Sequence, residues 1–148
     1  MSTQEKKLYK DIQVKSKKSV LPPITSRAYR GVSTVNPDLT NFVLYDIALI
    51  KQDLINHFHI RKGEKLLNPE FGTIIWDSLF EPLTEDLKQA IIENVTGIVN
   101  YDPRTQASDV TVTQYESGLQ IECNLTYLPY NISEKMRLDF DQANGLIS

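Results

Sequence analysis

Leu67–Arg104 reads LNPEFGTIIWDSLFEPLTEDLKQAIIENVTGIVNYDPR. The stretch opens on an Asn68-Pro69 turn, passes an aromatic cluster of Phe71, Trp76 and Phe80, and ends at Tyr101-Asp102-Pro103-Arg104. Thr73–Phe80 has the spacing of a short helix with Ile74, Ile75, Leu79 and Phe80 inward, so Leu67–Phe80 is expected to build core around Trp76. Glu81-Pro82 ends that helix, because a residue before proline disfavours the α region. A longer helix starts at Thr84, a good N-cap, with Glu85 and Asp86 suited to the positive end of the dipole. Leu87, Ile91, Val95 and Ile98 recur at helical spacing, and Ile92 and Val99 widen the stripe. Asp102-Pro103 stops it. The stretch has no metal-ligand spacing, phosphate loop or nucleophile elbow.

Downstream the period changes from helical to alternating. Val110 and Val112 alternate with threonines, and Glu116-Ser117-Gly118 is a hairpin turn. Leu119, Ile121, Cys123, Leu125 and Tyr127 alternate with polar residues without a slip, the pattern of a strand with one buried and one wet face. Met136, Leu138 and Phe140 form a third strand, and the last eight residues are expected to fray. Upstream, Val43, Leu44, Ile47, Ile50, Leu54, Ile55 and Phe58 predict a helix of about five turns, capped at Thr40 or Asn41 and stopping near Gly63. The expected fold is α+β: a small, mainly antiparallel sheet with two main helices packed on one face and an extended N-terminal arm. Residues 1–38 are read as that arm and 39–148 as a single domain. Leu8–Val14 alternates weakly, and Leu21-Pro22-Pro23-Ile24 forbids helix.

The chain has 148 residues, 41% of them hydrophobic and 24% charged, enough for one domain with a real core. The net charge of -3 leaves no broad footprint for nucleic acid. Residues 1–30 are nevertheless basic, with Lys6, Lys7, Lys10, Lys15, Lys17, Lys18, Arg27 and Arg30 against Glu5 and Asp11. Such a run is either a solvated arm or a contact for an acidic partner or nucleic acid. The one cysteine, Cys123, precludes an internal disulfide, fits assembly in a reducing cytoplasm, and is expected to be a buried, inert thiol. No apolar run approaches the roughly 20 residues of a membrane-spanning helix.

Glu70, Asp77 and Glu81 are candidate acids for glycoside hydrolysis, which needs two carboxylates about 5–9 Å apart. Solvated surface acids are the competing reading. His57 and His59, two apart on a helix, point to different faces and do not share a metal. In Asp102-Pro103-Arg104, proline fixes the backbone between an acid and a base. Either Arg104 is free to grip a partner's carboxylate or carbonyls, or the pair closes the helix end locally.

NPEFGTIIWDSLFEPL followed by a helix ending NYDPR resembles the baseplate wedge, or sheath-initiator, family of contractile-tailed phages. Related proteins serve type VI secretion and other contractile injection machines, and some members carry a lysozyme-like label. The resemblance covers roughly Leu8–Phe140, and Leu8-Tyr9-Lys10-Asp11-Ile12 matches the family's opening L-Y-x-D-I. The family's Glu-Pro-Arg signature falls on Asp102, Pro103 and Arg104, so the acid here is one methylene shorter. The resemblance implies a non-enzymatic structural subunit of the virion's tail baseplate, assembled in the host cytoplasm, with no cofactor or small-molecule substrate. It implies that the signature loop docks on a helical bundle of other wedge subunits. It further implies that the sheet edges, here the Ser108–Tyr127 hairpin and the Glu134–Phe140 strand, receive strands of the tail sheath protein.

Overall fold

The structure, a computed structural model, describes residues 29–34 and 43–148. Strand β1 (Arg30–Val32) pairs antiparallel with β2 (Val43–Tyr45), and α1 (Asp46–His59) follows directly. After a long loop come a single turn of helix, α2 (Ile75–Ser78), and the main helix α3 (Glu85–Tyr101). Strands β3 (Thr105–Tyr115), β4 (Gly118–Tyr127), β5 (Ile132–Asp141) and β6 (Gly145–Ile147) form an antiparallel meander in the order β3-β4-β5-β6. This is the expected α+β architecture. No helix among the described residues is long and apolar enough to cross a membrane.

The core lies between the sheet and the two long helices. On β4 every second side chain is buried, from Leu119 to Tyr127. Register sets Leu119, Ile121 and Cys123 opposite Phe140, Leu138 and Met136, which are also buried. Ile50, Leu54 and Phe58 of α1 and Ile91, Val95, Ile98 and Val99 of α3 complete the cluster. The wet face is polar, with Lys135 Nζ 2.7 Å from Glu122 Oε2 across β4 and β5. A bulge at Asp109 (φ 52) adds a residue to β3 opposite β4. It shifts the strand's parity, so Ala107 before it and Val110 and Val112 after it all pack toward the core.

Several expectations need correction. The first helix starts at Asp46, because Val43 and Leu44 are drawn into β2 by Arg30–Val32, a strand inside the expected arm. Asp46 (φ 47) turns the corner. Its carboxylate accepts from Tyr29 N at 3.0 Å and from the Tyr130 hydroxyl at 2.7 Å. The expected caps Thr40 and Asn41, and the Leu8–Val14 strand, lie outside the described residues. The first helix ends at His59, before Gly63.

The middle helix is only one turn long, and Phe80, expected inside, is 75% exposed. Leu67 is 97% exposed, but Ile75 and Leu79 are buried in the core and Ile74 and Trp76 pack partly buried against it, so the stretch joins the core from Ile74 onward and not from Leu67. The third strand of the sheet reaches back to Ile132, and the hairpin's first strand starts at Thr105, not Ser108, its hydroxyl donating to Val99 O at 2.6 Å. The final residues do not fray. Asp141 Oδ1 accepts from the Ala143 and Asn144 amides at 2.8 and 2.9 Å, closing a turn that lays β6 along Asp139–Asp141.

Candidate functional site

Helix α3 carries the candidate motif at its C-terminal end. Its start is capped as expected, with Leu87 N donating to Thr84 Oγ1 at 3.2 Å. At the other end Asp102 has left the helix, with φ -79 and ψ 121. That is the extended conformation a following proline imposes. Asp102 Oδ1 then accepts from Arg104 N and from Arg104 Nε, both at 2.9 Å. Asp102 Oδ2 takes Nη2 of the same guanidinium at 2.5 Å. The acid and the base are thus locked across Pro103.

Arg104 reaches further. Nη2 also donates to Asp53 Oδ2 of α1 at 2.9 Å, and the guanidinium lies 5.1 Å above the Tyr29 ring. The motif therefore clamps the end of α3 to α1 and to the segment entering β1. The side chains of Arg104 and Asp102 are only 20% and 24% exposed, against 45% for Asp53. The Arg104 hydrogen bonds hold the Asp102 carboxyl below the usual carboxylate range, outweighing desolvation. The Asp102 hydrogen bonds, chiefly, raise the guanidinium's affinity for its proton. Of the two readings of the motif, the local pair is the one present in the chain by itself. Pro103 and Tyr101 are what the loop exposes. Sequence reasoning missed Asp53 and Tyr29, since no short-range pattern ties residues 51 and 75 positions from Arg104 to it.

A depression of about 660 Å³ opens beside this clamp, lined by Tyr29, Asp53, His57, Phe71, Tyr101 and Pro103 among others. His57 stacks on Phe71 with ring centroids 3.7 Å apart and meets Tyr101 edge-on at 5.8 Å. Burial, then Lys65, lowers the imidazole's proton affinity. His59 instead lies against Trp76, so the two histidines do part as expected. No group of three or more histidine, cysteine or acidic side chains among the described residues is placed to hold a metal. Cys123 is buried, and its thiol pKa is pushed up to about 11.

The candidate acids do not converge on a cleft. Glu70, Asp77 and Glu81 are all exposed, and Glu70 pairs with Lys62 at 2.8 Å. The depression that includes Glu70 contains neither Asp77 nor Glu81.

The sheet edges differ from one another. Near the start of β3, Ala107 N already donates to Asn100 Oδ1 at 3.0 Å, and the bulge interrupts the strand. On the far side β6 covers only Asp139–Asp141, so Ile132–Leu138 of β5 has no strand beside it there among the described residues.

Comparison with known proteins supplies the context. The family model described as baseplate wedge protein gp25 matches residues 46–129. The matched span runs from the first residue of α1 to just past β4 and includes Asp102-Pro103-Arg104. Baseplate wedge protein gp25 of Enterobacteria phage T4 is 39% identical over 102 residues, which is 64% of this chain and 75% of that protein. The fold is similar to a putative tail lysozyme from Geobacter sulfurreducens, with a TM-score of 0.53 and 21% identity over 62% of this chain and 86% of that one. It is also similar to a chain in the baseplate of the anti-feeding prophage, with a TM-score of 0.54 and 20% identity over 66% and 83% of the two chains.

Proposed function

The chain belongs to the baseplate wedge protein gp25 family, and on that footing we propose that it is a non-enzymatic structural subunit of the virion's tail baseplate that joins wedge subunits and starts the sheath. The observation that carries this reading is the clamped end of α3. Asp102 and Arg104 hold each other and Asp53, which fixes a loop whose exposed face is Pro103 and Tyr101. A preset loop loses little freedom on docking. Its partners are other wedge subunits, contacted through a helical bundle. Asp102 in place of a glutamate suits a clamp that must stay short.

Sheath strands add by backbone pairing at the sheet edge. The edge best suited is β5 over Ile132–Leu138, because β3 is bulged and partly bonded to α3. Assembly takes place in the host cytoplasm, and no cofactor takes part.

The test is incorporation into baseplates. Arg104→Ala and Pro103→Ala are expected to lower incorporation by about tenfold or more, a loss of about 1.4 kcal/mol or more of docking energy. Arg104→Ala also loosens the clamp, so its melting temperature is measured alongside. Pro103 is exposed, so Pro103→Ala gives up only the backbone restriction it imposes, a cost of about 0.4–1 kcal/mol that leaves the chain folded. Normal incorporation of both variants contradicts the loop's role. The neighbour described as a tail lysozyme motivates the second reading, a peptidoglycan hydrolase. Lysis of cell-wall substrate that disappears in Glu81→Gln would establish that activity instead.

A further inference from the structure

The end of α3 and the open edge of β5 meet at one turn. Leu128–Asn131 joins β4 to β5, and Leu128 N donates to Arg104 O at 2.9 Å, one bond beyond the Thr105–Tyr127 pair. The carbonyl that holds this turn therefore belongs to the residue whose guanidinium closes the clamp. Asn131 (φ 50) bends the chain directly before Ile132, where the open edge begins.

A tyrosine holds the other side of the turn. Tyr130 packs partly buried against the core, while Leu128, Pro129 and Asn131 are exposed. Its hydroxyl donates to Asp46 Oδ1 at 2.7 Å, the same atom that accepts from Tyr29 N at 3.0 Å. Tyr29 in turn lies under the Arg104 guanidinium. Helix α1 adds two further ties. Its Asp53 accepts from Arg104 Nη2 at 2.9 Å, and its Lys51 Nζ lies 3.4 Å from Glu134 Oε1 on β5. That Glu134 oxygen also accepts from the buried Tyr127 hydroxyl at 2.6 Å. The loop at the end of α3 and the first residues of the β5 edge thus share α1, Tyr29 and the turn.

These ties are polar and lie near the surface. Leu128 and Ile132 are 49% and 47% exposed and stand outside the core cluster, so little apolar burial fixes the start of β5. Segments held in this way open locally at a small fraction of the global unfolding free energy. Farther along β5, Met136, Leu138 and Phe140 are buried and set by the core itself. Coupling between two sites needs an element that both of them bias. The start of β5 is such an element, since its order depends on how firmly Arg104 and Asp46 are held. A subunit seated on the loop restrains Arg104, and a strand added to the edge restrains Ile132–Glu134. By linkage each favours the other.

We propose that the β4–β5 turn couples the two interfaces: docking of the Asp102-Pro103-Arg104 loop orders Ile132–Glu134, and that ordered start receives the sheath strand. Tyr130 is the positioning residue of this coupling, and sheath strands add to docked chains in preference to free ones. The assignment rests on the baseplate reading, including the roles given there to the loop and the β5 edge.

The test uses the full chain with Tyr130→Phe, which removes the hydroxyl and keeps the ring against the core. This variant is expected to enter baseplates at the wild-type level, because the bonds of Arg104 to Asp102 and Asp53 are untouched. In the free chain, amide exchange at Ile132–Glu134 is expected to quicken about fivefold to tenfold, with Ile121 unchanged. The response to docking is the readout that a merely structural bond would leave alone. On incorporation into baseplates without sheath, exchange at Ile132–Glu134 should slow about tenfold or more in the wild type and about twofold or less in Tyr130→Phe. Sheath assembly on the Tyr130→Phe baseplates should fall about tenfold. Asp46→Asn keeps Oδ1 as an acceptor and suits the positive φ, so it should follow the wild type in both measurements. An equal docking response in wild type and Tyr130→Phe overturns the coupling, as does normal sheath assembly on Tyr130→Phe baseplates. Failure of Tyr130→Phe to enter baseplates also overturns it, since the hydroxyl would then serve the loop itself. If Pro103→Ala and Arg104→Ala are lost from baseplates while Tyr130→Phe behaves as wild type throughout, the coupling is wrong and the loop's role stands. If Pro103→Ala and Arg104→Ala both incorporate normally, the loop's role fails and the coupling falls with it.

Discussion

Strand β4 and the Arg61–Thr73 spur, the loop between α1 and α2 whose ends pair at Arg61 and Thr73, carry similar apolar side chains and put them to opposite use. Along β4, Leu119, Ile121, Leu125 and Tyr127 are all at most 2% exposed, each opposite a partner strand. On the spur, Leu66 and Leu67 are at least 93% exposed although the surrounding backbone is tied by hydrogen bonds. The difference teaches that order in this chain is not confined to what its own core requires. The spur and the end of α3 are tied by hydrogen bonds, partly apolar and unburied.

The largest effect expected of a single change separates the two regions. Leu125→Ala should cost about 2–5 kcal/mol by the usual price of a truncated core leucine. Leu67→Ala should stay within about 0.5 kcal/mol. Urea unfolding of the two variants reads this directly, and a substantial loss in Leu67→Ala would break the contrast.

The same contrast explains what was legible beforehand. β4 could be read because alternation is local, and so could the Thr84 cap and the α3 stripe, whose signals lie within a few residues. The start of α1 could not, because Val43–Tyr45 becomes a strand only when Arg30–Val32 lies beside it. β6 was hidden for a similar reason, since its turn depends on the Asp141 carboxylate gathering the Ala143 and Asn144 amides. At the site, Asp102-Pro103-Arg104 was legible as a motif. Its internal engagement was not, since Asp53 sits 51 positions away on another helix. Leu67 was expected at the edge of the core, and the closed loop turns it and Leu66 outward.

The clamp at Arg104 lies between the two regions, half internal and half presented. Arg104→Ala should cost about 1–2 kcal/mol, the low end for hydrogen bonds to charged groups because the site is partly exposed. A double-mutant cycle with Asp53→Ala should show positive coupling; strict additivity would mean that the α1 contact contributes nothing. The dependence on pH follows from Asp102. Its folded carboxyl titrates below its unfolded value of about 3.9, so its contribution is complete above that pH and is lost as pH falls through the folded value. The stability gap between wild type and Arg104→Ala should therefore narrow as pH drops below about 4. A gap that is flat or widens there would mean that the carboxylate is not held by Arg104.

The smallest effect is expected at His57. Its proton affinity is lowered by burial and by Lys65, so the unfolded chain takes up a proton first as pH falls. Stability should decline slightly below about pH 6.5, toward the folded value, and His57→Gln should flatten that part of the curve. An unchanged slope would place the imidazole outside the aromatic stack.

The most direct measurement of the central claim is the amount of this chain in purified tail baseplates from particles supplied with wild type, Pro103→Ala or Arg104→Ala, quantified against the other baseplate proteins. The account predicts a fixed stoichiometry for the wild type and depletion of about tenfold or more for both variants, with Pro103→Ala still folded and within about 1 kcal/mol of the wild type. Baseplates that lack the wild-type chain, or that hold both variants at the wild-type level, would contradict it.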